Sequence, residues 1–133
     1  MFTGIIRHIG TIESMDRHGD DIRLTVKVDE IPQTAEIGAS VANSGVCLTV
    51  VEKTKDTISY DVMTQTVKLT SLGSKKVGDH VNVEGSMRVG DEVGGHFVYG
   101  HVDGVAEVTS GNYDDHATRA PHEVRRATGI GCH

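Results

Sequence analysis

Apolar and polar residues alternate with a period of two along several segments of the chain. Residues 22–28 alternate without a break, and residues 57–62 and 80–84 repeat the pattern. Because successive side chains of a strand point to opposite faces, this alternation predicts half-buried β-strands. Residues 46–51 are more continuously apolar, which is typical of a central strand.

Residues 5–12 and 102–108 are two further predicted strands, which brings the number to six. Turn sequences rich in glycine, asparagine and aspartate separate them. Two short helices are predicted near residues 32–37 and 64–72, the second with Thr64 as its N-cap. Six strands with so little helix indicate an all-β fold, either a small antiparallel barrel or a sandwich.

The length of 133 residues is that of one domain. After Val108 the sequence changes character, because residues 109–121 show neither alternation nor much apolar content. A segment of this composition buries too little apolar surface to offset the conformational entropy lost on ordering. We therefore expect a barrel domain over residues 1–108 and a weakly ordered tail over residues 109–133.

The chain is acidic, with a formal net charge of −6 and a pI near 5.7. Nucleic-acid-binding domains usually present a basic face, so no nucleic-acid partner is expected. No apolar run approaches the roughly 20 residues that span a bilayer, and the first residues lack the pattern of a signal peptide. The two cysteines, Cys47 and Cys132, make no disulfide framework. These features predict a cytoplasmic protein without a membrane partner.

Two glycine-containing segments, residues 40–50 and 94–104, place small polar side chains beside strand-forming residues. Two interpretations of Cys47 stay open. Flanked by apolar neighbours, it reads as a small buried hydrophobic residue. Alternatively, its thiol faces a cavity together with Thr49, which lies two residues on and therefore on the same face of the strand.

The two histidines of the second segment, His96 and His101, raise the question of a metal site. Their odd separation would place them on opposite faces of a continuous strand, and no second cysteine or histidine stands at ligand spacing. His101 and Asp103 share a face, which favours an imidazole oriented by a neighbouring group. The glycines lack the order of a phosphate-binding loop. No metal is expected.

Three segments, taken together, resemble a known family. They are Met-Phe-Thr-Gly-Ile at residues 1–5, Gly-Val-Cys-Leu-Thr-Val at residues 45–50, and the glycine- and histidine-rich residues 94–104. In this order they resemble the first lumazine-binding domain of the riboflavin synthases. The resemblance implies a six-stranded Greek-key barrel that binds 6,7-dimethyl-8-ribityllumazine or riboflavin. It also implies transfer of a four-carbon unit between two lumazines, which yields riboflavin and a pyrimidinedione without any cofactor.

The resemblance also implies which residues do this work. Ser40, Cys47 and His101 match catalytic candidates, which would assist removal of a proton from the acidic methyl group and addition of a nucleophile to the neighbouring carbon. The implied ligand-binding residues lie in four short segments. They are Gly4, Ile5, Ile6, Cys47, Leu48, Thr49, Asp61, Val62, Met63, Thr64, Gln65, Thr66, Gly100, His101 and Val102.

The sequence departs from the family pattern in two places. Ser44 stands where the family usually has asparagine before the glycine of its motif, although Asn43 precedes it. A second barrel is not found after Val108, where the resemblance itself is expected to end. Because each family site needs two barrels, we expect this barrel to pair with a copy of itself as a homodimer. The alternative is a non-catalytic carrier or antenna module that binds lumazine or flavin without turnover.

Overall fold

The computed structural model describes residues 1–111 and 122–125. Six antiparallel strands form a closed barrel, in the order β1-β2-β5-β4-β3-β6. The strands are β1 (His8–His18), β2 (Asp21–Val28), β3 (Ser40–Asn43), β4 (Val46–Lys53), β5 (Thr57–Met63) and β6 (His80–Gly85). The hairpin-connected strands β3, β4 and β5 lie beside β2 and β6, which are reached by longer connections, so the topology is a Greek key. The predicted fold class is confirmed.

A short helix, α1 (Thr64–Leu69), follows β5 and continues into a 3₁₀ turn at Ser71–Ser74. The helix predicted near residues 64–72 is therefore confirmed, but Thr64 is not its N-cap. Met63 occupies that position without a side-chain cap, and the Thr64 hydroxyl instead donates to the Asp20 carbonyl oxygen at 2.6 Å. In the described residues, no helix has both the length and the apolar character needed to cross a membrane.

Two predicted elements differ from the structure, and one barrel strand was not predicted. Residues 32–37 form turns closed by Ala35 N–H donating to Pro32 O, and no helix. Residues 101–106 are not a strand; β7 (Glu107–Gly111) pairs instead with β8 (His122–Arg125) outside the barrel. The sixth barrel strand is β3, which was not predicted. All but its first residue are buried, so the segment lacks the alternation that marks a half-exposed strand.

The strand β1 begins three residues later and ends six residues later than predicted, at His8 and His18. Its register with β2 shifts between Ile12 and Ser14, where a β-bulge inserts an extra residue. A bulge reverses which side chains face the core, so the alternation breaks in mid-strand. The predicted domain boundary at residue 108 stays a prediction. The predicted tail falls largely on residues 112–121 and 126–133, which lie outside the described residues, as does Cys132.

The β3–β4 hairpin forms with serine at position 44, where the family usually has asparagine. Ser44 and Gly45 both have positive φ angles, 47° and 82°, as a two-residue type I′ turn requires. The Ser44 N–H donates to the Asn82 carbonyl oxygen at 2.7 Å, and its hydroxyl accepts from Asn82 N–H at 3.2 Å. These bonds to β6 hold a serine where asparagine or glycine is usually favoured.

The barrel interior is built from aliphatic side chains and a single aromatic ring, that of Tyr60 on β5. Burial raises the pKa of Tyr60 above its ordinary value, and the nearby Asn43 amide offsets only part of this rise. No hydrogen bond of normal geometry forms between them, so Tyr60 Oη and Asn43 Oδ1 are buried without a partner among the described residues. The Asn43 amide nitrogen is satisfied, because it donates to the Val41 carbonyl oxygen.

This geometry predicts a small effect for Tyr60→Phe. We expect the free energy of unfolding to change by less than about 1 kcal/mol, because the substitution deletes a buried hydroxyl that has no bond to lose. Urea unfolding measures the change. Tyr60→Ala is the control, expected to cost about 3–5 kcal/mol through loss of the whole ring. A cost above about 2 kcal/mol for Tyr60→Phe would mean that the hydroxyl is bonded in the core.

Candidate ligand-binding site

The barrel wall opens between β4 and β5. The ladder that joins them ends at the pair Val50↔Tyr60. Beyond it, residues 46–49 of β4 remain paired with β3, and residues 61–63 of β5 remain paired with β2. We call the region between residues 46–49 and residues 61–63 the β4–β5 opening. Strand edges outside a ladder present N–H and C=O groups that can bond to a planar heterocycle.

The outer face of β4 carries two of the predicted site residues. Thr49 is exposed and Cys47 is half-buried, whereas Leu48 between them points into the core. The interpretation of Cys47 as a core residue is therefore wrong, and the same-face arrangement with Thr49 is confirmed. Ser40 on β3 pairs with Thr49, and directly opposed residues share a face of the sheet. Two of the three catalytic candidates thus lie on one outer surface.

The segment of residues 96–102 closes one end of the opening. The Cys47 N–H donates to the Gly100 carbonyl oxygen at 3.0 Å, and the backbone of Gly100 lies directly against that of Cys47. His101, the next residue, is exposed. Val102 is half-buried and packs against the barrel core. Gly100 is therefore held against β4 by a backbone contact, and His101 and Val102 follow it in the chain.

The amino-terminal residues lie beside this segment. Phe2 and Val98 exchange two backbone hydrogen bonds, with N···O distances of 2.7 and 2.9 Å. The Thr3 carbonyl oxygen accepts from His96 N–H at 2.9 Å. Gly4 follows, and the next two side chains, Ile5 and Ile6, are exposed. The amino-terminal members of the predicted ligand set are thus connected to Gly100 through residues 96–98.

The far side of the opening is formed by β5 and the start of α1. Asp61 and Met63 point outward and Val62 points into the core. The Arg23 guanidinium donates from Nε to Asp61 Oδ1 at 2.5 Å and from Nη2 to Oδ2 at 3.2 Å, which lowers the pKa of Asp61. Arg23 also reaches Glu52 at 3.3 Å. Asp61 is therefore held as an ionised acceptor at the edge of the opening.

The remaining predicted ligand residues are on α1. The Thr64 hydroxyl is already engaged with Asp20, as described above. Gln65 is exposed and Thr66 is half-buried, so both are available to a polyol. Among the described residues, no group of three or more histidine, cysteine, aspartate or glutamate side chains is placed to hold a metal ion.

A separate cleft of about 350 Å³ lies between the amino-terminal segment, residues 32–34 and residues 84–92. Of the predicted ligand residues, only Ile5 lines it. Several of its polar groups already bond within the protein, since Arg88 donates to Gln33 O and to Asp91 Oδ2. The β4–β5 opening is therefore the candidate site, because backbone edges and outward-facing polar side chains converge there.

Sequence reasoning missed three residues that contact the candidate site residues or the segments beside them. Arg23 orients Asp61, Phe2 is fully buried beneath the segment of residues 96–98, and Glu84 bonds to Thr3 and Gly4. Arg23 and Glu84 occupy polar positions of alternating strands, which the pattern assigns to solvent. Their partners are far away in the sequence, so no local signal identifies them.

The fold and the opening define a class, a small Greek-key barrel whose wall opens between two strands. The chain belongs to the lumazine binding domain family, which matches residues 3–86. It is 50% identical to the riboflavin synthase of Bacillus subtilis over 109 residues, which is 82% of this chain and 51% of that protein. It is 40% identical to the riboflavin synthase of Brucella abortus over 133 residues, which is 93% of this chain and 66% of that protein.

The chain therefore spans about half of the length of most of the curated relatives it matches. An alignment over 93% of the chain cannot fit within residues 1–108, so the similarity to the Brucella protein continues past the residue where the motifs end. Among solved structures, the chain resembles LumP complexed with 6,7-dimethyl-8-(1'-D-ribityl) lumazine, with a TM-score of 0.77 and 25% identity. That match covers 98% of this chain and 71% of LumP. LumP has also been solved with flavin mononucleotide and with riboflavin.

Proposed function

We propose that the chain binds 6,7-dimethyl-8-ribityllumazine and riboflavin at the β4–β5 opening. The observation that carries this proposal is the end of the β4–β5 ladder at Val50↔Tyr60, which leaves the edges of residues 46–49 and 61–63 facing each other. Residues 47–49 and 61–63 are among those that the resemblance to the riboflavin synthases implies. The ligands seen in LumP, which has the same fold, support the same class of ligand.

The chemistry of the lining suits a flat heterocycle with a polyol tail. The pteridine ring needs apolar contacts on its faces and hydrogen-bonding groups along one edge. Met63 is 59% exposed and Ile5 and Ile6 are also exposed, so a ring packed there would remove apolar surface from water. The Cys47 N–H is already bonded to Gly100, so the Cys47 carbonyl oxygen and the backbone of Thr49 supply the edge. Gln65 and Thr66 supply partners for the ribityl hydroxyls.

For turnover, two lumazines must react with each other. One loses a proton from its acidic methyl group, a nucleophile adds to the neighbouring ring carbon of the other, and four carbons then pass from one ring to the other. Ser40, Cys47 and His101 are the residues proposed to assist these steps. Cys47 lies on the edge of the opening, Ser40 pairs with Thr49 on the same face of the sheet, and His101 follows Gly100, which bonds to Cys47. A single barrel provides one ligand face, so we propose that two copies pair to hold two lumazines together.

The second candidate function is a carrier or antenna module without turnover. It is favoured by the likeness to LumP, whose structures are complexes with flavin mononucleotide, riboflavin and 6,7-dimethyl-8-(1'-D-ribityl) lumazine. Both candidates require the same binding site. They differ in whether bound lumazine is converted to riboflavin.

Two measurements on the native chain test the proposal. Titration of riboflavin, followed by quenching of its fluorescence, should show saturable binding of one ligand per barrel. Incubation with excess 6,7-dimethyl-8-ribityllumazine, followed by absorbance, should show riboflavin formation if a paired barrel is active. Binding without product would favour the carrier module, and the absence of binding for both ligands would overturn the proposal. Light scattering during size-exclusion chromatography measures the expected dimer directly.

If product forms, His101→Ala tests the proposed chemistry. The expected result is a lower rate of riboflavin formation with riboflavin affinity changed less than the rate, because an imidazole that moves a proton acts mainly in the transition state. The removal of one general acid–base group typically costs about 10²–10⁴-fold in rate. An unchanged rate would exclude His101 from the chemistry.

A further inference from the structure

Glu84, near the end of β6, is an almost fully buried carboxylate. It is 8% exposed, and its two oxygens accept three hydrogen bonds from two consecutive residues. The Thr3 N–H donates to Oε2 at 2.7 Å, the Thr3 hydroxyl donates to Oε2 at 3.1 Å, and the Gly4 N–H donates to Oε1 at 3.0 Å. Charge-assisted bonds of this kind are about twice as strong as neutral ones.

The anchored residues are continuous with the β4–β5 opening. Gly4 leads directly to Ile5 and Ile6, which the ligand is proposed to contact. On its other side, Thr3 accepts from His96, and the segment that contains His96 continues to Gly100, whose carbonyl oxygen accepts from Cys47 N–H. A shift of residues 3–4 would therefore move both the amino-terminal wall of the site and the segment that closes its end.

The chemistry of these contacts requires a carboxylate. Every group that reaches Glu84 in these three bonds is a donor, and an ionised carboxylate has only acceptors. Glutamine would offer one acceptor oxygen and would turn its amide NH₂ towards a backbone N–H. Aspartate is one methylene shorter and would not span the same distance. The geometry is therefore specific for glutamate.

The amino-terminal segment depends on this anchor because it has few other bonds. Residues 1–7 belong to no barrel strand, and their described backbone links are the Phe2–Val98 bridge, Thr3 with His96, and Met1 with Met87. Segments with few paired backbone groups open at low free-energy cost. The Glu84 carboxylate opposes this opening.

We propose that Glu84 is a positioning residue for the ligand site, holding residues 3–6 in the conformation that binds the ring. This inference rests on the proposed function. Glu84 does not need to touch the ligand. Its loss lowers the fraction of molecules in the binding-competent conformation, and the apparent affinity falls in proportion to that fraction.

The test compares Glu84→Gln with a matched control, Thr54→Val. The Thr54 hydroxyl oxygen accepts from Asp56 N–H and Thr57 N–H in the β4–β5 turn, at the end of these strands remote from the opening. For each variant, riboflavin affinity is measured by fluorescence titration, and hydrogen exchange is measured at the Thr3 and Gly4 amides. We expect Glu84→Gln to bind riboflavin at least about tenfold more weakly, as a competent fraction of about one tenth requires.

The exchange measurement separates positioning from general stability. In Glu84→Gln, exchange should rise at Thr3 and Gly4 while the amides of β2 and β5 stay protected, and Thr54→Val should keep native affinity. Native affinity in Glu84→Gln would overturn the inference, as would an affinity loss of the same size in Thr54→Val. If Glu84→Gln does not fold, Thr3→Val replaces it in the test, because this substitution removes only the hydroxyl contacts of Thr3. Its loss of riboflavin affinity should be smaller than the loss of about tenfold expected for Glu84→Gln. An unchanged affinity would overturn the inference. Failure of the native chain to bind riboflavin would instead overturn the proposed function.

Discussion

Replacement of Gly100 by alanine is expected to abolish riboflavin binding and to lower the free energy of unfolding by about 2–5 kcal/mol. Gly100 has a φ of +80°, where an L-residue costs about 1–2 kcal/mol. A Cβ atom at this position would lie 2.7 Å from Cys47 Cβ and 3.0 Å from Cys47 N. Relief of such overpacking typically costs a further 1–3 kcal/mol or so. The segment must move away from β4, which breaks the bond that closes the opening.

Gly78→Ala is the matched control for this prediction. Gly78 has a similar φ of +94°, but a Cβ atom there would meet no heavy atom within 4 Å. Its substitution should show the backbone cost alone, about 1–2 kcal/mol in urea unfolding, with riboflavin affinity unchanged. Gly100→Ala with native riboflavin affinity would mean that contact between Gly100 and Cys47 does not shape the site.

The period-two pattern predicted most of the barrel because the strands concerned have one face in the core and one face in solvent. In β2, Leu24, Val26 and Val28 are buried and the intervening residues are more exposed. Strand β6 shows the same alternation over its first four residues. For such strands the local sequence alone shows which side chains face the core.

The pattern failed where burial is decided by distant parts of the chain. Strand β3 pairs with β4 on one side and β6 on the other, and Ala42 and Asn43 are buried although they occupy opposite faces. Residues 102–108 have strand-like composition, but the wall they were expected to complete is already closed by β3. Propensity describes what a segment tolerates, whereas pairing depends on the edges available to it.

At the candidate site, too, the sequence identified local features but not contacts between distant residues. The motif residues around Cys47 were identified through the family resemblance, and local alternation correctly placed Cys47 and Thr49 on one face. Alternation did not say whether that face was inside or outside the barrel. The role of Glu84 could not be predicted from the sequence. Its partner Thr3 lies 81 positions away, and the alternation pattern assigns position 84 to solvent.

Phe2→Ala should weaken riboflavin binding more than it weakens the barrel. Phe2 is 0% exposed, yet it lies outside the main cluster of the barrel core. Truncation of a buried phenylalanine costs about 3–5 kcal/mol when the structure cannot relax. Here the amino-terminal segment can separate from residues 96–98 while the six strands stay paired, so the loss in global stability is expected to fall below that range. The site then loses its amino-terminal wall, and riboflavin affinity should fall by more than about tenfold.

Leu24→Ala provides the contrast, because Leu24 is equally buried but belongs to the main core. Its truncation should cost about 2–5 kcal/mol in global stability. The molecules that remain folded should bind riboflavin with nearly native affinity, since Leu24 faces the interior and not the opening. Opposite responses of the two variants would show that ligand binding depends on docking of the amino-terminal segment. If Phe2→Ala lost stability as Leu24→Ala does and kept native affinity, the segment would be a structural part of the barrel with no role at the ligand site.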